Sequence, residues 1–212
     1  MNIVSTNIAQ LKTIVWRGKK VTTGIYKNPV GDPIYLDKES VSGDEVSNRQ
    51  VHGGTYKACY LFSADHYPFW KALYSYLEWD YGMFGENITV LGLDETKVFI
   101  GDIFKIGEAL VQVTQPLEPC YKFGIKFGTQ DVLKQFIALG HSGFYVRILE
   151  SGYVKVNDDL ILMEQAQNSL SIRDFFELLF TKHKNQDHLK LAVNNSALPL
   201  PKRVKLKNYI LG

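Results

Sequence analysis

Short runs of alternating apolar and polar residues, each closed by Gly, Asp or Asn, constrain this chain more than any other feature. In the run 143–152, Phe144, Val146 and Ile148 fall on one face and Tyr145, Arg147 and Leu149 on the other, because side chains alternate along a strand. Similar strand-length runs rich in β-branched and aromatic residues lie at 3–8, 21–26, 58–62, 88–91, 110–115 and 160–163. Many short strands at uneven spacing point to a mainly β chain, a barrel or sandwich rather than a parallel α/β sheet. Helices interrupt the pattern. Pro68 is tolerated in a first helical turn, and Phe69, Leu73 and Leu77 would then share one face. A second helix is expected from Asp131 to Leu139, ending at Gly140.

Charge divides the chain in two. Residues 182–212 carry seven Lys or Arg against the single acid Asp187, a balance of +6, and the rest carries −4. The boundary has a helix-start signature, since Ser171 is followed three residues later by Asp174, as in a capping box opening Ile172–Phe180. The expected organisation is therefore a mainly β domain over 1–165 and a small helical domain over 166–212. The tail segment 202–207 alternates Lys with Val and Leu, which reads as an amphipathic edge. No recognition motif accompanies it, so sequence-specific nucleic-acid binding is not expected.

The whole-chain charge of +2 names no electrostatic partner. No apolar stretch approaches the roughly 20 residues of a bilayer span, and the first residues lack the pattern of a secretory signal. A cytoplasmic protein with no membrane partner is expected. Two cysteines, Cys59 and Cys120, cannot make a disulfide framework. Nor can they supply the four thiolates of an ordinary iron–sulfur cluster.

Four segments could carry chemistry. His52, Gly53, Gly54 and Lys57 place an imidazole and an ammonium beside a flexible turn, and paired glycines let the backbone approach a ligand; a plain glycine turn is the alternative. Glu86, Asn87 and Thr89 offer a carboxylate, a carboxamide and a hydroxyl after Gly85, either for a polar heterocycle or for the turn itself. In the segment 115–122, Pro116 and Pro119 fix the backbone before Cys120. If a helix begins at Pro119, the thiol lies in its first turn, where the helix dipole and Lys122 favour the thiolate; the alternative is a small buried hydrophobe. Cys59, flanked by Ala58, Tyr60 and Leu61, fits that second description. Arg147, among apolar neighbours, needs an acid, a carbonyl or a bound anion.

Taken in order, His52-Gly53-Gly54 with Lys57-Ala58, Phe84-Gly85-Glu86-Asn87, Gln115-Pro116 with Pro119-Cys120 and Lys122, and 143–147 resemble the MOSC domain family, the molybdenum cofactor sulfurase C-terminal type. The match is best to the bacterial YiiM-like group, which carries a small helical domain after its barrel. That resemblance implies a MOSC-type β-barrel that binds the molybdenum cofactor, molybdopterin, with Cys120 as the molybdenum ligand. It also implies Lys57, Lys122 and Arg147 as partners of the phosphate, with His52, Glu86, Asn87 and Thr89 around the pterin or metal pocket. The implied activity is an oxidoreductase detoxifying N-hydroxylated compounds of the hydroxylaminopurine type, with His52 as a proton donor and electrons from a separate reductase. A homodimer is compatible with it. The alternatives are a non-catalytic carrier of the cofactor or of sulfur on Cys120, and an interaction module that has lost the cofactor. Three positions depart from the family pattern: Leu117-Glu118 where Arg is frequent, Tyr56 where an acid usually precedes the Lys, and Asn157-Asp158 in place of a Gly-Asp turn.

Overall fold

The computed structural model describes residues 1–48 and 53–210. In chain order its strands are β1 (Asn2–Ile8), β2 (Lys12–Trp16), β3 (Lys19–Thr23), β4 (Asn28–Pro29), β5 (Ile34–Asp37), β6 (Ser40–Val41), β7 (Cys59–Ser63), β8 (Ile88–Leu91), β9 (Ile103–Ile106), β10 (Ala109–Pro116), β11 (Phe144–Glu150), β12 (Gly152–Val154) and β13 (Leu160–Glu164). Its α-helices are α1 (Tyr67–Leu73), α2 (Tyr121–Lys126), α3 (Asp131–Leu139), α4 (Ile172–Phe180), α5 (Gln186–Asn194) and α6 (Leu200–Lys207). The class is mainly β with helical additions, as the sequence indicates. No helix among the described residues is long and apolar enough to cross a membrane.

Eight strands form one sheet in the order β13-β9-β10-β11-β7-β8-β1-β4. The expected barrel is not present as a closed ladder: the start of β1, beyond its short pairing with β4, meets the residues just before β13 through an isolated bridge, Asn2 with Asp159, and flanking bonds such as Ile3 N–H to Asp158 O at 2.9 Å. The chain has to turn at Asn157, in a left-handed conformation at φ 72°, and too little of β1 lies beside β13 for a full set of pairs. β7 and β8 pair in parallel, Leu61 opposite Ile88. Parallel neighbours need a long crossover, and residues 64–87 supply it, with α1 and the turn that ends at Asn87.

Both faces of β7 are covered, which is why all five of its residues are buried. Cys59 and Leu61 enter an aliphatic core with Ile3, Val90, Val113 and Val146. Tyr60 and Phe62 point the other way, into an aromatic core with Trp70, Phe84, Phe123 and Phe136. Phe62 stacks on Phe84 with ring centroids 4.1 Å apart. Cys59 is thus the buried hydrophobe its neighbours suggest, and burial pushes its thiol pKa up. The alternation read in 144–149 also holds, with Phe144, Val146 and Ile148 in the aliphatic core and Tyr145 in the aromatic one.

Helix boundaries follow their local signals. Ser171 Oγ accepts from Asp174 N–H at 3.0 Å to open α4, and Gly140 closes α3 at φ 71°. The apolar face of α1 is not the expected one. Phe69 and Leu73 are exposed, whereas Tyr67 and Trp70, with Tyr74 just beyond, are buried. The aromatic core offers flat surfaces that ring side chains fill, and it selects that face. Side chains of the C-terminal helices, Phe175, Leu189 and Leu206 among them, join the same aliphatic core as the strands.

Candidate functional site

The site is built from the strand ends around β7 and β11. Thr114 Oγ1 donates to Tyr56 O at 2.7 Å and Tyr145 O at 3.0 Å. Ala58 N–H donates to Val146 O at 3.2 Å. These bonds hold the short 3₁₀ turn Thr55–Lys57 against β11, and the Lys57 ammonium lies 5.4 Å from the centre of the Tyr145 ring. β10 ends at Pro116, and the chain runs through Leu117, Glu118 and Pro119 to Cys120, which stands just before α2 rather than inside a first turn opened by Pro119, and whose side chain makes no cap bond. The free thiol of Cys120 is half-buried.

Opposite stands a wall made by Thr23, Gly24 and Ile25 with the segment 44–47. Gly24 is needed here, since a Cβ at this position would lie 1.9 Å from Glu45 O. The walls enclose a cleft of about 880 Å³, its open mouth included, which Cys120, Lys57, Lys122, Asn87, Lys27, Asp44, Tyr60 and Tyr145 all line.

Four residues singled out in the sequence therefore converge: Cys120, Lys57, Asn87 and Lys122. Their roles differ. Lys122 turns its ammonium to Thr22 O at 2.9 Å and Ser47 Oγ at 3.0 Å. Two of its three donors thus tie the hairpin β2–β3 and the 44–47 wall to α2. Burial and nearby Lys202 lower the pKa of Lys57, opposed by Glu118 and Cys120. Burial, reinforced by Cys120 and Glu118, keeps the Tyr145 phenol protonated. Asn87 is held on three sides, accepting from Tyr60 N–H at 3.2 Å and donating to Asn7 O at 3.3 Å and Asp44 Oδ2 at 3.0 Å.

Three others lie away from the cleft lining. Glu86 is fully buried behind it. Its carboxylate accepts from Gly82 N–H at 2.9 Å, Phe84 N–H at 3.1 Å, Thr89 Oγ1 at 2.9 Å and the Tyr67 hydroxyl. Thr89 in turn accepts from Asn7 Nδ2 at 3.1 Å. Both residues fold the 82–86 turn that sets Phe84, Gly85 and Asn87 into the cleft wall. Arg147 spreads its guanidinium over the Tyr56 ring, 5.7 Å away, and its buried Nε has no partner among the described residues. His52 lies outside the described residues.

The structure adds groups the sequence did not single out. Lys27 and Asp44 form a buried ion pair in the cleft wall, with Asp44 also accepting from Ala9 N–H at 2.8 Å. Lys126, behind that wall, donates to Ile25 O at 3.1 Å and Gly82 O at 2.8 Å. Its burial, only partly opposed by Glu86, lowers its pKa to about 7. At the rim, Lys202 of α6 pairs with Glu118 at 2.6 Å. Isolated Lys, Asp and Tyr residues carry no local motif, so only spatial neighbourhood reveals them.

The donor set fits a soft metal held by a larger organic ligand. A thiol opens onto the cleft, a tyrosine-lined apolar wall stands beside it, and Lys57 and Lys122 offer N–H donors to an anion.

The family model described as MOSC domain matches residues 48–161. The protein YflK of Bacillus subtilis is 36% identical over 197 residues, covering 93% of this chain and 89% of its own. A Gibberella moniliformis protein named "Reductase" is 33% identical over 191 residues, 86% of this chain but 32% of that longer protein. The crystal structure of YiiM from Geobacillus stearothermophilus superposes with a TM-score of 0.82 at 33% identity, over 99% of both chains.

Proposed function

This chain belongs to the MOSC domain family, and from that premise we propose that it is a molybdenum-cofactor enzyme that reduces N-hydroxylated compounds, hydroxylaminopurine-type base analogues among them. The observation that carries the reading is the thiol of Cys120 opening onto a cleft beside Lys57, Lys122 and Tyr145. The relative named "Reductase" supports the reaction class.

Cys120 would be the protein's ligand to molybdenum, a soft donor for a metal already carried on sulfur. Lys57 and Lys122 would hold the anionic end of the cofactor through charge-assisted hydrogen bonds. Molybdenum cofactor, when bound, would supply the two-electron chemistry for reducing an N–O bond. The overall change takes R–NHOH, two electrons and two protons to R–NH₂ and water. Tyr60 and Tyr145 give the cleft a ring-lined wall suited to a flat heterocyclic base. Asn87, pinned by its three partners, holds that wall in shape. The proton donor we assign is His52, and the electron donor a separate reductase, since two cysteines cannot build a cluster of their own. On this reading the protein works in the cytoplasm, residues 1–165 form the cofactor-binding unit, and residues 166–212 contribute Lys202 to its rim.

The test is the molybdenum and pterin content of protein purified from molybdate-fed cells, followed by turnover of an N-hydroxylated substrate with a chemical reductant. Wild type should hold both and turn over. Cys120→Ser should lose metal and activity while melting at the same temperature. Stoichiometric cofactor without turnover would favour a carrier, and full activity in Cys120→Ser would remove the ligand role.

A further inference from the structure

A second cluster of polar side chains lies outside the cleft. His66 ends the 3₁₀ turn Ala64–His66 after β7, Glu95 sits in the loop between β8 and β9, and His141 follows α3. The nitrogens His66 Nε2 and His141 Nδ1 converge on one oxygen, Glu95 Oε2, at 3.3 Å and 3.4 Å. The other oxygen, Oε1, accepts from Gly143 N–H at 3.2 Å. The Glu95 side chain is 2% exposed, those of His66 and His141 19% and 38%. The carboxylate is therefore buried and the imidazoles form its door to solvent.

These distances are informative. A charge-assisted hydrogen bond from imidazolium to carboxylate settles at about 2.7–2.9 Å, shorter than either contact. Two ligands each about 2.1 Å from a tetrahedral zinc ion lie about 3.4 Å apart. The three candidate ligand atoms all fall within 4.8 Å of one another. Phe62 packs edge-on against His66 and fixes that ring from behind.

We propose that His66, Glu95 and His141 form a binding site for a divalent transition-metal ion of the zinc class, separate from the Cys120 cleft. Two imidazoles and one carboxylate suit zinc and its first-row neighbours rather than calcium or magnesium, which prefer oxygen donors alone. Three protein ligands leave the fourth position to water. The imidazoles stack at 3.8 Å with 27° between their planes, and His141, the more exposed, is the ring that opens to receive the ion. Because Glu95 O also accepts from Arg173 N–H at 3.1 Å, the ion would tie the crossover, the loop after α3 and the start of α4 together.

The experiment uses the full chain stripped with a chelator and titrated with Co²⁺, read by visible absorption, and with Zn²⁺ in competition against a chromophoric chelator. Wild type should bind one ion at this site with the spectrum of nitrogen and oxygen ligation, and Zn²⁺ should raise its Tm. His66→Gln and His141→Gln, which keep the side chains polar and of similar length, should each weaken binding by about tenfold or more and abolish the Zn²⁺-dependent rise in Tm. Cys120→Ser should bind as wild type does. No uptake by wild type, uptake unchanged in both histidine variants, or uptake lost in Cys120→Ser would overturn the site. None of these readouts depends on the molybdenum cofactor.

Discussion

Glu86 and Glu95 are both buried carboxylates in loops flanking β8, and they are held in opposite ways. Glu86 is closed on every side, by two backbone N–H groups and two hydroxyls at one turn. Glu95 has a single backbone donor, and its second oxygen meets two imidazoles at long range, one of them well exposed. A carboxylate whose lone pairs are filled by fixed donors stabilises a turn and has nothing left for a ligand. One whose partners are movable and reach solvent retains capacity for an ion. The difference explains why Glu86, which motif position puts among the cofactor groups, lies behind the cleft, while Glu95, which no motif singles out, faces an opening.

The comparison breaks first on substitution. Glu86→Gln places an amide N–H₂ among donors that need an acceptor, so it should cost about 3–5 kcal/mol in urea unfolding and disturb the neighbouring Phe84 and Asn87. Glu95→Gln should cost only about 1–2 kcal/mol, because one backbone bond is at stake and the imidazoles relax toward water. Equal losses would mean that the two carboxylates do the same work.

The next effect in size is a pH dependence on the Glu86 side. Lys126 lies near Glu86, and its pKa falls from 10.5 to about 7 on folding, chiefly through burial. Between those values the unfolded chain binds the extra proton, so stability rises with pH across that window. Relative to Lys126→Met, wild type should gain on the order of a few kcal/mol from pH 7 to pH 10. Parallel stability curves for the two proteins would show that Lys126 keeps an ordinary pKa.

The smallest effect is at the cleft rim. Lys202→Ala removes the contact to Glu118, whose carboxylate is about half exposed. The loss should stay below about 1 kcal/mol in thermal unfolding. A larger loss would mean that α6 braces the Cys120 segment, sharpening the contrast between rim and buried turn.

Several of these features are readable in the chain itself. Ser171 with Asp174, Gly140 after α3, and the alternation of 144–149 are local devices in which each residue's partner lies within a few positions, so sequence order carries them. The placement of Cys120 after two prolines is local too, and the residues of its block come together around one cleft. The hairpin β2–β3 is harder to see, because its turn uses Arg17 and Gly18, both at positive φ, rather than the Asn-Gly pair that signals such turns.

What the sequence by itself determined is the mainly β character, the position of Cys120 behind its two prolines, the capped start of α4 and the family to which the chain belongs. Only the tertiary structure decided which face of α1 is buried, since Phe69-Leu73 and Trp70-Tyr74 have the same helical spacing and the aromatic core chooses between them. It also decided that β1 and the residues just before β13 meet at a bridge rather than a ladder. It decided as well that Lys122 spends two of its donors on Thr22 O and Ser47 Oγ. His66, Glu95 and His141 are far apart along the chain, and no local periodicity relates them. They meet because β7 and β8 run parallel, so the chain leaves both at the same end of the sheet, and β11, antiparallel to β7, begins at that end.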